Sequence, residues 1–230
     1  MTRNYKNSVS EQGVSLITLA DKASPVSEQY RTIRTNIQYS MMDQEMRTLV
    51  ITSSGPGEGK STTAANLAVV FASSGKRVLL ADADMRKPTV AKTFNLSNSD
   101  GLSNILGRPQ VNLDQIIQNS GVPNLSVLPS GPKPPNPSEL LGSVRMGKLL
   151  ELLERNYDLV IFDMPPIVTV TDAQVLASKV DGTVLVAREN VTNRDLLKKA
   201  KNLLNYVDAN LLGVVYNGSR KSSDQGYYYG

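Results

Sequence analysis

The 230-residue chain contains no cysteine and no histidine. The lack of cysteine excludes disulfides, thiolate zinc sites, iron–sulfur clusters and thiol nucleophiles, and it suits a reducing compartment. The lack of histidine removes the side chain that serves most often as a general base. If the protein is an enzyme that needs a proton acceptor, that acceptor must be a carboxylate, a lysine or a tyrosine.

Long apolar runs are also absent. None approaches the roughly 20 residues that a membrane-spanning helix needs, and the first residues lack the apolar core of a secretion signal. We therefore expect a soluble, cytoplasmic protein. The net charge is +4, but basic and acidic residues are mostly interleaved along the chain. This charge permits an anionic partner or a membrane surface without requiring one.

The strongest positive signal is a strand, a glycine-rich loop and a helix in succession. The run Leu49–Ile51 is typical of a strand buried on both faces, and apolar residues recur at helical spacing from Ala64 to Phe71. Between them lies SSGPGEGKST at 53–62. Its glycines favour a tight turn whose backbone N–H groups form an anion nest, and the helix N-terminus adds partial positive charge. The pattern predicts a phosphate-binding loop for a nucleotide.

Within this loop, Lys60 is expected to bind the outer phosphates and Ser61 to ligate Mg²⁺. The loop departs from the usual G-x-x-x-x-G-K-[ST] pattern where Ser54 replaces the first glycine. A small residue fits there if its backbone stays out of the left-handed region. A glycine-rich turn that binds nothing is the alternative. The predicted nucleotide-binding residues of the loop are Gly55, Pro56, Gly57, Glu58, Gly59, Lys60, Ser61 and Thr62.

Two further predicted strands end in acidic residues. The run 77–81 precedes Asp82 and Asp84, and the apolar run 159–162 precedes Asp163. The carboxyl ends of parallel strands lie at the edge of the sheet where ligands of open α/β folds bind. We expect Asp163 beside the Mg²⁺ shell, generally through a water. The aspartate pair indicates metal and phosphate chemistry, with simple capping of a turn as the alternative.

The order of elements predicts one α/β domain with a mostly parallel sheet covered by helices on both faces. Residues 1–24 are interpreted as a flexible lead-in with a possible strand at Val14–Leu19, residues 25–217 as the domain, and 218–230 as a flexible tail. Helices are predicted at 102–106, 113–118, from Ser138 or Ser143 to about 156, 171–180 and 194–207, and strands at 125–128, 183–187 and 211–216.

A charged face accompanies the first predicted helix. Glu28, Arg31 and Arg34 are spaced by three and lie opposite the apolar face. They form either a solvated surface with local ion pairs or a contact with a neighbouring subunit. The apolar face consists of Tyr30, Ile33, Ile37 and Met41.

Three adjacent tyrosines, Tyr227, Tyr228 and Tyr229, lie near the end of the chain. The surrounding stretch is polar, glycine-flanked and without apolar periodicity, so these rings are not expected to serve a core. Chance, or a stacking contact with a partner, is the alternative to a functional role. An extended tail reaches about 40 Å from the last strand at roughly 3.3–3.6 Å per residue. That distance is sufficient to enter a neighbouring molecule's active site.

Together these motifs resemble the bacterial tyrosine kinases, or BY-kinases, the cytoplasmic kinases of Gram-positive capsule and exopolysaccharide systems. The resemblance rests on SGPGEGKST at 54–62, LLADADMRKP at 79–88, VIFDMPP at 160–166, SGPKPPNPSELL at 130–141, the E-x-x-R-x-x-R helix and the tyrosine tail. It implies a single-domain P-loop NTPase fold like that of MinD and ParA. It also implies an ATP- and Mg²⁺-dependent autokinase whose phosphoacceptors are the tail tyrosines of neighbouring subunits.

The same resemblance implies the partners. Copies of the chain would form a ring, generally an octamer, through Glu28, Arg31 and Arg34. A separate membrane protein that polymerises polysaccharide or regulates its length would activate the kinase and hold it at the inner face of the membrane. Other protein substrates are conceivable, and no nucleic-acid partner is expected. Asn217 would lie beside the adenine.

The chemistry of phosphoryl transfer and the lack of histidine suggest catalytic roles. Lys60, Asp82 and Asp84 are the expected catalytic residues, with Asp82 as proton acceptor or orienter for the tyrosine hydroxyl and Asp84 as its metal-side or hydrogen-bonding companion. The spacing leaves these two roles exchangeable. The expected metal-site residues are Ser61, Asp82 and Asp163.

Two other functions compete with this one. A MinD/ParA-like positioning or partition ATPase shares the sheet, the loop and the second-strand aspartates, but such proteins carry a signature lysine where this chain has Gly55. A non-catalytic, nucleotide-dependent adaptor that recruits partners through its tail is the third possibility.

Overall fold

The structure, a computed structural model, describes residues 13–40, 45–108 and 112–219. Its described part contains one sheet of seven strands in the order β3-β4-β2-β5-β1-β6-β7. Every neighbouring pair is parallel except β3 and β4. The strands are β1 (Thr48–Ser53), β2 (Val78–Asp82), β3 (Gln118–Asn119), β4 (Leu125–Leu128), β5 (Leu159–Asp163), β6 (Gly182–Arg188) and β7 (Leu211–Asn217).

Helices cover both faces of this sheet, as the sequence predicted. Helices α2 and α3 bury their apolar residues in the core on one face, and α5 to α10 do so on the other. The helices are α1 (Ile17–Ala20), α2 (Pro25–Tyr39), α3 (Lys60–Ser73), α4 (Val90–Thr93), α5 (Leu102–Gly107), α6 (Leu113–Ile116), α7 (Pro137–Gly142), α8 (Val144–Asn156), α9 (Asp172–Ala177) and α10 (Arg194–Tyr206).

The central strand β1 shows why its apolar run forms a doubly buried strand. Successive side chains of a strand point to opposite faces. Val50 belongs to the core under α5 to α10, whereas Leu49 and Ile51 belong to the core under α2 and α3. All three side chains are fully buried. The central parallel strands therefore hold their carboxyl ends at one edge, next to one another.

The predicted apolar face of α2 is confirmed for the residues that the structure describes. Ser24 caps the helix by accepting the Ser27 N–H, and Pro25 occupies its first turn. Tyr30 and Ile37 are buried, and Ile33 packs against the same core. Met41 lies outside the described residues.

The strand predicted at Val14–Leu19 is wrong. This segment contains the short helix α1, and Thr18 is buried against α3. Both the backbone N–H and the hydroxyl of Thr18 donate to Asn66 Oδ1, at 3.1 and 2.9 Å. A side chain of α3 thus satisfies the polar groups that a strand would have paired with a neighbour. Part of the predicted lead-in contacts the domain, while the domain boundaries remain a prediction.

Three local differences involve short elements. The helix predicted from Ser138 or Ser143 is two helices, because Ser143 is extended between α7 and α8 and its hydroxyl caps Met146 N–H. Gln118, predicted as the end of a helix, begins the short strand β3, which pairs antiparallel with β4. Helix α4 was not predicted. Helices α4, α6 and α7 and strand β3 each have six residues or fewer. Such elements are too short for a clear apolar period in the sequence.

Candidate active site

The phosphate-binding loop joins β1 to α3 and has the conformation that its glycines suggested. Gly57 and Gly59 are left-handed, with φ of +76° and +96°. Ser54 is not in the left-handed region, so the condition for replacing the usual glycine is met. Its hydroxyl donates to Glu58 Oε1 at 2.7 Å and its N–H to Glu58 Oε2 at 2.9 Å. The buried Glu58 carboxylate therefore closes the loop across its base, a contact that the sequence did not reveal.

Lys60 lies in the first turn of α3, with its ammonium among three polar groups. Nζ is 2.8 Å from Asp84 Oδ2, 3.7 Å from Asp163 Oδ1 and 3.2 Å from Ser61 Oγ. Burial disfavours the charged amine, but the carboxylates of Asp163 and Asp84 outweigh this effect and raise the pKa of Lys60 above its usual value. The structure thus brings together four of the residues selected from the sequence, because Ser61, Asp84 and Asp163 surround the ammonium of Lys60.

Asp82 and Asp163 end neighbouring strands and are paired in register across β2 and β5. Both are fully buried. Burial, reinforced by the charge of Asp163, raises the pKa of Asp82 well above its usual value; burial likewise raises that of Asp163, although Lys60 opposes this. Two adjacent carboxylates in a dry environment favour a bound cation or proton.

The unpaired oxygens of these carboxylates support a metal site. Both oxygens of Asp163 and Oδ1 of Asp82 are buried and make no hydrogen bond of 3.5 Å or less, although Lys60 lies 3.7 Å from Asp163 Oδ1 and Ser61 also acts to lower the pKa of Asp163. Oδ2 of Asp82 accepts the N–H groups of Thr89 and Val90 at 3.0 and 2.9 Å. Buried oxygens without donors are costly unless a cation satisfies them. No cluster of three or more acidic side chains able to hold a metal by themselves occurs in the described ranges.

Asp84 differs from Asp82 in its partners. Its Oδ1 accepts the N–H groups of Arg86 and Lys87 at 3.3 and 3.0 Å, while Oδ2 binds Lys60. Both of its oxygens are therefore engaged in the described structure. The turn after β2 fixes this carboxylate directly beside the loop lysine.

A second ion pair, not predicted from the sequence, fixes this turn. The guanidinium of Arg86 makes two hydrogen bonds of 2.9 Å to the fully buried Asp172 at the start of α9. Ser138 of α7 donates to the same carboxylate at 2.6 Å. The contacts link the Asp84 turn to two helices. No local pattern could have revealed partners that are 86 and 34 residues apart.

Asn217, assigned to the adenine through the family resemblance, lies against the phosphate-binding loop. Its Nδ2 donates to the Glu58 carbonyl at 3.3 Å, and a Cβ on Gly59 would lie only 2.1 Å from that nitrogen. Arg188, which sequence reasoning missed, also reaches the loop, donating to the Gly57 carbonyl at 3.0 Å. Whether Asn217 meets an adenine stays a prediction.

The charged residues of α2 divide between two environments. Arg31 forms an ion pair with Glu28 on the surface and also donates to the Lys22 carbonyl. Arg34 instead faces its own domain: Nη1 donates to the Val70 carbonyl of α3 at 3.3 Å, and its Nε is buried. The expectation that all three lie on the outer face is therefore wrong for Arg34, because α3 packs close enough to bind it.

The tail tyrosines Tyr227, Tyr228 and Tyr229 lie outside the described residues. None of the helices in the described part of the chain combines the length and the apolar character that a bilayer span requires.

Comparison with known proteins gives a consistent result. Residues 46–209 match the AAA domain family. Tyrosine-protein kinase YwqD of Bacillus subtilis is 49% identical over 225 residues, covering 97% of this chain and 94% of that protein. The putative tyrosine-protein kinase CapB of Staphylococcus aureus is 43% identical, covering 94% and 95%.

Solved structures agree in fold. The crystal structure of the chimerical protein CapA2B2 has a TM-score of 0.84 at 45% identity, covering 87% of this chain and 88% of that one. The kinase domain of Escherichia coli tyrosine kinase ETK has a TM-score of 0.86 at 34% identity, covering 100% and 89%. MinD of Pyrococcus horikoshii, at 20% identity and a TM-score of 0.63, shares the fold alone. With its phosphate-binding loop, the strand-end aspartates Asp82 and Asp163, Asp84 in the turn after β2, and relatives of nearly the same length, this chain belongs to the family of bacterial tyrosine-protein kinases.

Proposed function

We propose that this kinase is an ATP-dependent autokinase that phosphorylates the C-terminal tyrosines of neighbouring subunits. The observation that carries the proposal is the ammonium of Lys60, buried between Asp84 and Asp163 at the mouth of the phosphate-binding loop. In phosphoryl transfer the protein mainly positions groups and neutralises charge. This chemistry needs a loop that binds a triphosphate, a cation for the outer phosphates and adjacent carboxylates.

The residues present fit a magnesium–nucleotide complex. The loop N–H groups and Lys60 would hold the β- and γ-phosphates, and Ser61, Asp82 and Asp163 would supply or order oxygens around Mg²⁺. The metal, when bound, neutralises charge on the phosphates. The unpartnered buried oxygens of Asp82 and Asp163 support this assignment.

We assign the acceptor side to Asp82 and Asp84. A tyrosine hydroxyl has a pKa near 10 and arrives neutral at cytoplasmic pH. Asp82 is our first choice to accept or orient its proton, because it makes no ion pair with Lys60 in the described structure, whereas Asp84 does. To act as a base Asp82 must be ionised, a state that a cation bound beside it would favour. Asp84, bonded to Lys60, would keep that cation in place.

The cellular role proposed is control of capsule or exopolysaccharide synthesis. The kinase would lie in the cytoplasm at the inner face of the membrane, bound to a membrane activator that acts on polysaccharide chains, and would form a ring with further copies. Support comes from the family resemblance, which the motifs at 130–141 and 54–62 help to carry. A MinD/ParA-like ATPase is disfavoured, since Gly55 lies where those proteins carry their signature lysine and the structural likeness to MinD is distant.

The experiment separates catalyst from acceptor. A Lys60→Met chain keeps its tyrosines, and a chain with Tyr227, Tyr228 and Tyr229 all changed to Phe keeps its catalytic residues. Each is incubated with ATP and Mg²⁺ alone and then mixed, and phosphotyrosine is located by mass spectrometry. We expect label on the Lys60→Met chain only in the mixture. Lys148→Met, which changes an exposed lysine of α8, is the matched control and should behave like wild type.

Four outcomes would refute this proposal. Tail labelling of the Lys60→Met chain by itself would contradict the role of Lys60. Labelling of wild type without transfer in the mixture would contradict phosphorylation between subunits. Phosphate release from ATP with no phosphotyrosine would indicate a partition-type ATPase, and nucleotide binding with neither product would indicate an adaptor.

A further inference from the structure

Arg188 and Asn217 hold the phosphate-binding loop from one side. They are paired in register at the carboxyl ends of β6 and β7. Arg188 donates to the carbonyl of Gly57 at 3.0 Å, and Asn217 donates to the carbonyl of Glu58 at 3.3 Å. Two side chains on adjacent strands thus bind two consecutive carbonyl oxygens of the loop.

These two bonds determine where the following N–H groups point. In a trans peptide the carbonyl and the N–H of the following residue lie in one plane and point in opposite directions. Drawing the Gly57 and Glu58 carbonyls toward β6 and β7 therefore directs the N–H groups of Glu58 and Gly59 the other way. A phosphate-binding nest needs its N–H groups turned inward and its carbonyl dipoles turned outward.

The loop needs such a restraint because its glycines are conformationally free. Gly57 and Gly59 adopt left-handed φ values that most residues avoid, and glycine has more conformations to lose than other residues. Gly59 also allows the close approach of Asn217, since any Cβ there would collide with its amide. The same glycines that permit the nest thus leave its peptide planes free to rotate unless something holds them.

We propose that Arg188 is a positioning residue that, together with Asn217, preorganises the loop for the diphosphate of the nucleotide. The inference rests on the proposed nucleotide site and adds a residue outside every motif that identified the family. Arg188 acts on the loop backbone, so it should affect how tightly phosphates bind more than how fast a bound phosphate is transferred.

Binding measurements test this without catalysis. Isothermal titration of Mg²⁺–ADP and of pyrophosphate is compared for wild type, Arg188→Met and Arg188→Lys. Pyrophosphate has neither base nor ribose. For Arg188→Met we expect the Kd of both ligands to rise about five- to tenfold, the effect of one lost hydrogen bond. Lysine can still donate to the carbonyl, so Arg188→Lys should recover part of the affinity. In kinase assays, KM for ATP should rise with little change in kcat.

Arg77→Met is the matched control. It makes the same chemical change at an exposed arginine, which binds Asp158. Arg77 lies at the amino end of β2, whereas the loop lies at the opposite edge of the sheet, where the parallel strands have their carboxyl ends. Arg77→Met should lower neither affinity. Unchanged affinities in Arg188→Met would overturn the inference, as would a loss for ADP alone, which would indicate contact with base or ribose. Failure of wild type to bind Mg²⁺–ADP would instead overturn the proposed nucleotide site itself.

Discussion

At the scale of single residues, the site holds buried carboxylates close together. This arrangement of charge is unfavourable, and a bound magnesium–nucleotide complex would relieve it. Asp82 and Asp163 are fully buried on neighbouring strands, and three of their four oxygens make no hydrogen bond of 3.5 Å or less. Among the described ion pairs, Lys60 is the one cation within 4.0 Å of Asp163 and of Asp84, and it makes no ion pair with Asp82. Active sites are where such arrangements are expected, because the groups that hold the ligand are not satisfied by the protein alone.

Asp82→Asn should stabilise the metal-free protein at neutral pH while abolishing tyrosine phosphorylation. Burial raises the pKa of Asp82. Above about pH 4 the unfolded chain has released this proton while the folded protein retains it, so stability falls as pH rises until the folded-state pKa is passed. Asparagine does not titrate, so this loss of stability with rising pH is absent from the variant. Urea unfolding with a chelator present, from about pH 5 to 8, measures the free energy of unfolding of both proteins. An equally steep pH dependence in the variant would contradict the assignment.

Lys60→Met should have the opposite effect on stability. The ammonium lowers the pKa of Asp163 and Asp82, so its removal leaves three carboxylates without a cation. We expect no phosphorylation, an unchanged circular dichroism spectrum, and a free energy of unfolding that is reduced at neutral pH and recovers as the pH is lowered toward 5. The same urea series measures this. Loss of stability that does not recover in acid would mean that packing, rather than charge, is responsible.

Sequence could identify these residues because Asp82 and Asp163 end apolar strands and Lys60 begins the helix that follows the glycine-rich loop. Lys60, Asp82 and Asp163 occupy the ends of elements whose apolar runs were recognisable, and parallel strands bring such ends together. Arg188 and Asp172 carried no such signal. Arg188 binds a loop 131 residues away, and Asp172 binds Arg86 at a separation of 86 residues. Their partners depend on strand order, which one chain's pattern does not specify.

At the scale of elements, the Arg86–Asp172 pair joins the turn after β2 to α9, and Ser138 joins both to α7. Asp172 is fully buried, and the Arg86 side chain is 36% exposed. Breaking a buried pair leaves an uncompensated partner and costs several kcal/mol, but solvent lowers the cost for a partly exposed arginine. The network therefore stiffens the turn that carries Asp84.

Asp172→Asn should lower the free energy of unfolding by about 1–2 kcal/mol and slow tyrosine phosphorylation, because Arg86 loses its anionic partner and its N–H supports Asp84. Chemical denaturation and initial rates measure both. Ser138→Ala is the control: it removes one hydrogen bond to the same carboxylate but keeps the ion pair, so its effects should be smaller. Equal losses in the two variants would mean that the ion pair contributes nothing of its own.

Elements were predicted well where they were long and strongly patterned. The central strands are continuous apolar runs, α3 is a long and almost wholly buried helix, and α10 has a clear apolar period, whereas α1 and α4 have four residues each. Tertiary contacts decide such short segments: Thr18 becomes helical because Asn66 satisfies its polar groups. The break between α7 and α8 occurs at Ser143. Serine can either cap a helix or lie inside one, so the sequence did not distinguish one helix from two.

At the scale of the whole molecule, α2 is the surface proposed to bind a neighbouring copy, and the structure narrows which side chains could do so. Arg34 is engaged with α3 of its own domain. Glu28 is exposed, and Arg31 is partly exposed beside it. A charged pair on a helix surface contributes only a few tenths of a kcal/mol to its own fold. Removing that pair should therefore leave the folded subunit intact.

The double variant Glu28→Ala, Arg31→Ala should consequently yield monomers with wild-type unfolding free energy and wild-type nucleotide affinity. Light scattering after gel filtration measures the mass.

The same substitutions placed in both chains of the mixing experiment should abolish transfer to the Lys60→Met tail, since the acceptor tyrosines must reach another subunit's active site. Arg77→Ala with Asp158→Ala removes another exposed pair and should preserve both assembly and transfer. A ring of unchanged mass in the double variant would show that α2 does not join the subunits, and transfer that persists between true monomers would show that the tail finds its neighbour without a ring.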